Sequence, residues 1–260
     1  MLRLWRIVIV SGFILLLCTA SAVLAQRQTS QTSSPASTEL ARRLDEAQNN
    51  RPPLFFSETF KPPQAAKGTS CAECDPVIQK LVTNEFLSDP NLEVKVYGPG
   101  AKDLVVTQRA QPKDDPTFIY SGITTANWLV MLRHKTSDVD LSSLAAKIKW
   151  RTFMNGFNQL RLVIKLADGT YLVSDKTEPE SADWRETEIP IADIRWRILE
   201  PDTVTLAPGS PWREHPDLKH VEEVGFTDMM RSRRYSGGMT RFDYLEVYGF
   251  PVPRTSAAKK

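Results

Sequence analysis

"QLRLVIKLADGTYLVSD", residues Gln159–Asp175, decides the fold class. Leu160, Leu162, Ile164 and Leu166 recur at every second position, with Arg161, Val163 and Lys165 between them. A period of two belongs to a strand with one buried face, because successive side chains point to opposite sides. Asp168-Gly169 then supplies the two-residue turn favoured between twisted antiparallel strands. Pairing outward from that turn sets Leu166 against Tyr171 and Ile164 against Val173. Both pairs fall on the apolar face, so the register is self-consistent.

Just upstream, "AKIKWRTF" (Ala146–Phe153) alternates with Ile148, Trp150 and Thr152 on one side and Lys147, Lys149 and Arg151 on the other. A second hairpin through "MNGFN", with Phe153 facing Gln159, brings Trp150 to Leu162 and Ile148 to Ile164 on the buried side. The same register gathers Lys147, Lys149, Arg151, Arg161 and Lys165 on the outer side. Five clustered cations attract polyanions such as acidic polysaccharides. A neighbouring acidic strand neutralises such a face instead, and "WRETEIPI" (Trp184–Ile191), with Glu186 and Glu188 on one side, is suited to that place.

Further strands are expected at Leu54–Phe60, Asn91–Gly98, Thr117–Thr124, Asn127–Lys135 and Ala192–Leu199. In Val221–Gly249 two more flank a loop, "RSRRYSGG". Val224 and Phe226 share one face there, with Gly225 opposite where another backbone comes close, and Leu245 and Val247 oppose Tyr244, Glu246 and Tyr248. Many short strands with frequent turns describe an all-β antiparallel sandwich. No GxGxxG after a strand, P-loop, HExxH, GxSxG or repeat period occurs.

The ends bound the compartment. Arg3 and Arg6 precede an uncharged apolar run that closes on small residues at Ala20, Ala22 and Ala25. This is the pattern of a secretory signal peptide over 1–25, the rival being a retained anchor helix. The chain is therefore expected to be exported, to the periplasm or outside the cell. The whole chain has 33 Lys+Arg and 31 Asp+Glu, and residues 1–25 contain only the two arginines, leaving 31 of each. A formally neutral chain is not a nucleic-acid binder by composition. No second apolar run is long enough to span a membrane once the signal is removed. Residues 26–53 are polar and without aromatics, a linker with room for a short helix at Glu39–Gln48. Residues 54–254 suit one domain, and 255–260 form a polar tail.

Cys71 and Cys74 stand before a run in which Asp75 and Pro76 suit a helix start, followed by Val77, Ile78, Leu81, Val82 and Phe86 at helical spacing. One short helix is expected near 76–87. Glu73 and Asp75 raise rather than lower the neighbouring thiol pKa values, which disfavours a redox dithiol. The second cysteine is not followed by the His a c-type haem needs, and the chain has only three His with which to complete a zinc site. A local disulfide is the expectation in an oxidising compartment.

Five segments carry a family resemblance: "VDLSSLAAKIKWRT", "LRLVIKLADGTYLVSD", "DWRETEIPIADIRWRIL", "PDLKHVEEVGFTDMM" and "FDYLEVYGFPV". Together, over about Leu54–Arg254, they resemble exported bacterial proteins of galactose-binding-like, jelly-roll type. That resemblance implies a carbohydrate-binding or accessory role and, in many such domains, a structural calcium. It assigns no ligand or calcium residue here and implies no other cofactor.

Three function classes follow. A glycan-binding module stacks sugars on aromatic planes, and the aromatics available are Trp128, Trp184, Trp196, Trp212 and Tyr235. Trp212, in a Pro-rich loop, and Tyr235, beside Arg231, Arg233 and Arg234, are preferred because loops carry function more often than strands do. A polysaccharide lyase or hydrolase acting on acidic glycans needs a base with cations, which the same arginines, Tyr235 and His220 supply. Otherwise it needs two placed carboxylates among Glu222, Glu223, Asp228, Asp243 and Glu246. The third class is an envelope structural or protein-interaction domain. No catalytic residue is assigned, and a non-catalytic glycan binder is the leading expectation.

Overall fold

The computed structural model describes residues 38–42, 45, 50–64, 78–109, 115–122, 126–156, 159–209, 212–229 and 239–254. The chain divides into two units, Met1–Asp45 and Glu46–Lys260. In the first, residues 38–42 and 45 are helical, and Arg42 pairs with Glu39 at 2.7 Å on the exposed surface.

The second unit is built of antiparallel strands in two sheets. The first sheet runs β11 (Arg185–Pro190), β8 (Lys147–Asn155), β16 (Met239–Tyr248), β5 (Phe118–Tyr120), β4 (Val105–Gln108) and β2 (Ile78–Leu81). In it β1 (Leu54–Glu58) also pairs with β16. The second runs β13 (Thr205–Leu206), β12 (Trp196–Glu200), β10 (Tyr171–Ser174), β9 (Leu160–Leu166), β15 (Val221–Asp228), β6 (Trp128–His134) and β3 (Leu92–Tyr97). To it β14 (Trp212–Arg213) adds along β12, and β7 (Ser137–Asp140) links β15 to β17 (Phe250–Pro253). The chain passes repeatedly from one layer to the other, after β2, β3, β5, β7, β8, β10, β11, β15 and β16.

The inner faces meet in one apolar core. From the first sheet come Ile148, Trp150, Phe242, Leu245 and Val247, and from the second Leu160, Leu162, Ile164, Val224 and Phe226. Each is fully enclosed, so the alternation read along these strands names the correct inner face. Trp128 and Trp196, offered above as sugar-stacking rings, are 1% and 2% exposed and belong to this core.

Pairing departs from the sequence expectation in two places. β8 and β9 do not form a hairpin: β8 pairs with β11 and β16, and β9 with β10 and β15. Ile148 and Trp150 therefore face Leu162 and Ile164 from the opposite sheet, and the cationic face is divided between two surfaces. On the first sheet β11 does lie beside β8, and its acids neutralise it: Lys147 reaches Glu188 at 2.7 Å and Lys149 reaches Glu186 at 3.3 Å.

The second departure is in the β9–β10 hairpin, which exists with a three-residue loop instead of two. Gly169 takes φ +88°, its N–H donates to the carbonyl of Leu166 at 2.9 Å, and Leu166 N–H donates to Thr170 at 2.9 Å. This is a turn closed by a glycine bulge, and it slips the register by one. Ile164 faces Leu172, and Tyr171 and Val173 face Lys165 and Val163. A slip of one residue turns a strand over, so Tyr171 and Val173 leave the core face for the outer one.

A short helix does lie within 76–87, as a 3₁₀ turn at Asn84–Phe86. Ile78–Leu81, given helical spacing above, instead pairs with β4 as an edge strand, with Leu81 57% exposed. Four residues hold too few periods to separate the two patterns, and β4 supplies their backbone partners. Cys71 and Cys74, with the disulfide expected between them, lie outside the described residues, as do the segments read as a signal peptide and a polar tail. Among the described residues no helix is long and apolar enough to cross a membrane.

Candidate functional site

The slipped hairpin gives the second sheet an apolar outer face. Val163 and Val173 stand opposite each other there, joined by Leu129, Met131, Leu199 and Val204 in a second buried cluster. Gly225 lies between Val163 and Met131 in the pairing. A Cβ on it would come within 2.0 Å of the Val130 carbonyl and 2.7 Å of Met131 Sδ, so the close approach read from the sequence is real.

Two tyrosines span this face. Tyr97 on β3 and Tyr171 on β10 bring their hydroxyls to 3.0 Å, with rings edge-on at 5.7 Å. Three strands separate them, a distance of roughly 19 Å across a flat sheet. Two tyrosine side chains cannot bridge that, so the sheet curves towards them and the outer face is concave. Burial, then the bond to Tyr97, pushes the Tyr171 hydroxyl pKa up. Beside it Lys165 reaches Glu222 at 2.7 Å and Glu223 at 3.6 Å, and Lys95 reaches Glu223 at 3.1 Å.

A strained residue seals the centre. Val204 is buried at φ +50°, a conformation rarely tolerated by a β-branched side chain. Asn127 Nδ2 donates to its carbonyl at 2.7 Å, and Gly98 makes room for it: a Cβ there would meet Val204 Cγ2 at 2.4 Å.

Beyond this plug, towards the β12 edge, the face opens into a cavity of about 310 Å³, within the size range of small-ligand sites. Val173, Leu206 and Met229 supply apolar lining, and Gln159, Ser174 and Asp175 supply polar groups. Arg161 and Arg197 enter from β9 and β12. Arg161 Nη1 donates to the carbonyl of Ser174 at 3.0 Å and reaches that of Asp175 at 3.5 Å, which fixes the guanidinium. Burial lowers its pKa and Arg197 adds to the lowering, while Asp175 and Asp228 counter it.

Trp212 forms the outer wall, carried by β14, where it pairs with Arg197. It is 38% exposed, unlike the core tryptophans. Arg195 lies 4.1 Å from its ring centre and Arg197 5.2 Å, both within cation–π range. Of the loop residues preferred from sequence, Trp212 thus lines the cavity. Arg231, Arg233, Arg234 and Tyr235 lie outside the described residues; Met229, shortly before that loop in the chain, is part of the lining. Trp184 packs instead against Phe118 and Phe153, and its Nε1 donates to Asp115 at 3.3 Å.

Sequence reading missed Arg161, which it grouped with the β8 cations, and both Arg195 and Arg197. The alternation in "DIRWRIL" does place these two opposite Trp196, yet nothing local says that Trp212 and Arg161 face them. The carboxylates considered for hydrolysis are otherwise engaged. Glu222 and Glu223 hold lysines, Asp243 pairs with Arg151, Glu246 accepts from Tyr248 at 2.7 Å, and Asp228 is 3% exposed. None of them lines the cavity. Among the described residues no group of three or more His, Cys, Asp or Glu can hold a metal ion, and no ligand set for the implied calcium is identified.

No protein-family model matches the chain, and no curated protein sequence matches it. Among solved structures it is similar to the family 11 carbohydrate-binding module of the cellulosomal cellulase Lic26A-Cel5E of Clostridium thermocellum. Identity is 16% over 67% of this chain and 96% of that one, with a TM-score of 0.38. The Clostridium thermocellum family 11 module in complex with a β-1,3-1,4-mixed-linked tetrasaccharide is 14% identical over 76% and 98%, at 0.36. The Emp47p carbohydrate recognition domain is 8% identical over 62% and 90%, at 0.32. The two-sheet fold rests on the strand pairings above.

Proposed function

We propose that this is an exported, non-catalytic β-sandwich protein that binds a carbohydrate in the cavity walled by Trp212. One observation carries this reading: an exposed indole stands at the mouth of a 310 Å³ cavity whose lining mixes apolar side chains with Arg161, Arg197, Gln159, Ser174 and Asp175. Sugars present apolar C–H faces and a rim of hydroxyls, so they need an aromatic plane beside a few fixed donors and acceptors. Export rests on the signal-peptide pattern of residues 1–25. N-terminal sequencing of the protein recovered from the periplasm or medium tests that part, a start at Gln26 being expected.

Binding is tested by screening the purified protein on a glycan array and measuring any hit by calorimetry with Trp212→Ala as control. The expected result is a glycan whose affinity falls at least tenfold in Trp212→Ala. Absence of any hit, or a hit indifferent to Trp212, overturns the reading.

A further inference from the structure

Resting on that reading, we infer that the sugar taken by this cavity is anionic, bearing a carboxylate or sulfate group that sits between Arg161 and Arg197. Those guanidiniums enter from adjacent parts of the curved face and both line the cavity. Arg195 adds a third positive charge at the Trp212 ring. Among the described residues the lining contains one acid, Asp175, and its Oδ1 already accepts the Arg195 backbone N–H at 2.9 Å. A second acid, Asp228, is buried beside the cavity, and its charge acts on Arg161 together with that of Asp175. Three guanidiniums, Arg161, Arg195 and Arg197, against the two carboxylates leave this wall net positive although the mature chain as a whole is formally neutral.

The type of cation matters as much as the sign. Guanidinium is weakly hydrated and planar, and it meets a carboxylate or sulfate with two parallel hydrogen bonds. Arg161 has one edge fixed by carbonyls, which orients the remainder before any ligand arrives. Partial burial strengthens its attraction for an anion, since the low dielectric that penalises an isolated charge rewards a paired one. A neutral sugar adds nothing to that balance. An anionic one neutralises the positive excess while its ring uses the apolar lining and Trp212.

The test is calorimetry on the full mature chain with four probes. These are trigalacturonate, its carboxyl-reduced counterpart, a sulfated galacto-oligosaccharide and the desulfated form of the same. At least one anionic probe is expected to bind ten times more tightly than its neutral partner, and to weaken at least fivefold between 50 and 500 mM salt. Whichever pair shows this names the group as carboxylate or sulfate. In Arg197→Gln the ratio of anionic to neutral affinity is expected to fall towards one, and Arg161→Lys, which keeps the charge without the planar fork, is expected to lose part of it. Circular dichroism confirms that both variants fold. If neutral and anionic probes bind alike and depend on Trp212, the inference fails and the carbohydrate reading stands. If no probe binds and the glycan array is also empty, both fail.

Discussion

The rings of Phe226 and Phe242 lie parallel, 3.6 Å between centres and 10° apart in plane, and they belong to opposite sheets. Trp128 packs edge-on against the first at 6.0 Å and Trp150 against the second at 5.8 Å, so four rings cross the sandwich in series. Both phenylalanines are fully buried. Phe226→Ala and Phe242→Ala are each expected to destabilise the fold by about 3–5 kcal/mol. The double variant should deviate from additivity by about 0.5–3 kcal/mol, because the two share one contact. Urea unfolding of the three variants checks this; strict additivity would show that the stack contributes nothing of its own.

Gly225 presents the opposite problem, a place where mass cannot be added. Its missing Cβ would overlap the Val130 carbonyl and Met131, both held in the adjacent strand β6. Gly225→Ala is expected to destabilise by about 1–3 kcal/mol, as overpacked sites do. An unchanged urea midpoint would contradict the close approach.

Asp168 in the β9–β10 turn makes stability depend on pH. The Thr170 backbone N–H, donating to its Oδ1 at 2.8 Å, and then the Thr170 side chain hold its pKa below the ordinary 3.8. A folded pKa below the unfolded one gives stability fully present above 3.8 and lost as pH falls through the depressed value. The site is largely exposed, so the effect is expected to stay under about 1 kcal/mol. Asp168→Asn keeps an acceptor for Thr170 and should lose less stability than the parent between pH 5 and pH 2.5. Parallel losses in the two proteins would remove Asp168 from the acid limb.

At Trp212 binding and stability should separate. The ring is part exposed and lies on a two-residue strand at the sheet edge. Trp212→Ala is expected to change unfolding free energy by about 0.5 kcal/mol or less, as surface substitutions do. Glycan affinity should fall at least tenfold in the same variant. A large stability loss would mean that the ring is structural.

The β8 cations should behave as a solvated face. Lys147 and Lys149 are paired with Glu188 and Glu186 and lie over Tyr248 and Tyr244. Replacing both lysines by alanine is expected to leave the urea midpoint nearly unchanged and to leave trigalacturonate binding as it was. Weakened binding would move the anion site to the first sheet.

How much of this was legible in the residues depends on the range over which each signal acts. Alternation is local: it identified the inner residues of β8, β9, β15 and β16, the close approach at Gly225 and the acidic partner of the β8 lysines. Short edge elements such as β2, β14 and β17 carry too few residues to alternate legibly. Partner choice is not local. The stretch between β8 and β9 reads as a tight turn, yet it carries the chain from one sheet to the other, and both arrangements bury the same side chains.

The sequence by itself determined that the chain is a β-sandwich and which residues form most of its core, and it offered the acids of β11 as one way to balance the charge on β8. Tertiary structure decided the site. One glycine bulge at Gly169 turned Tyr171 and Val173 outward, and curvature of the sheet then brought Arg161, Arg197 and Trp212 to a single cavity. The reason is geometric: the face of a strand reverses with a shift of one residue, and only pairing with distant strands selects which face each side chain keeps.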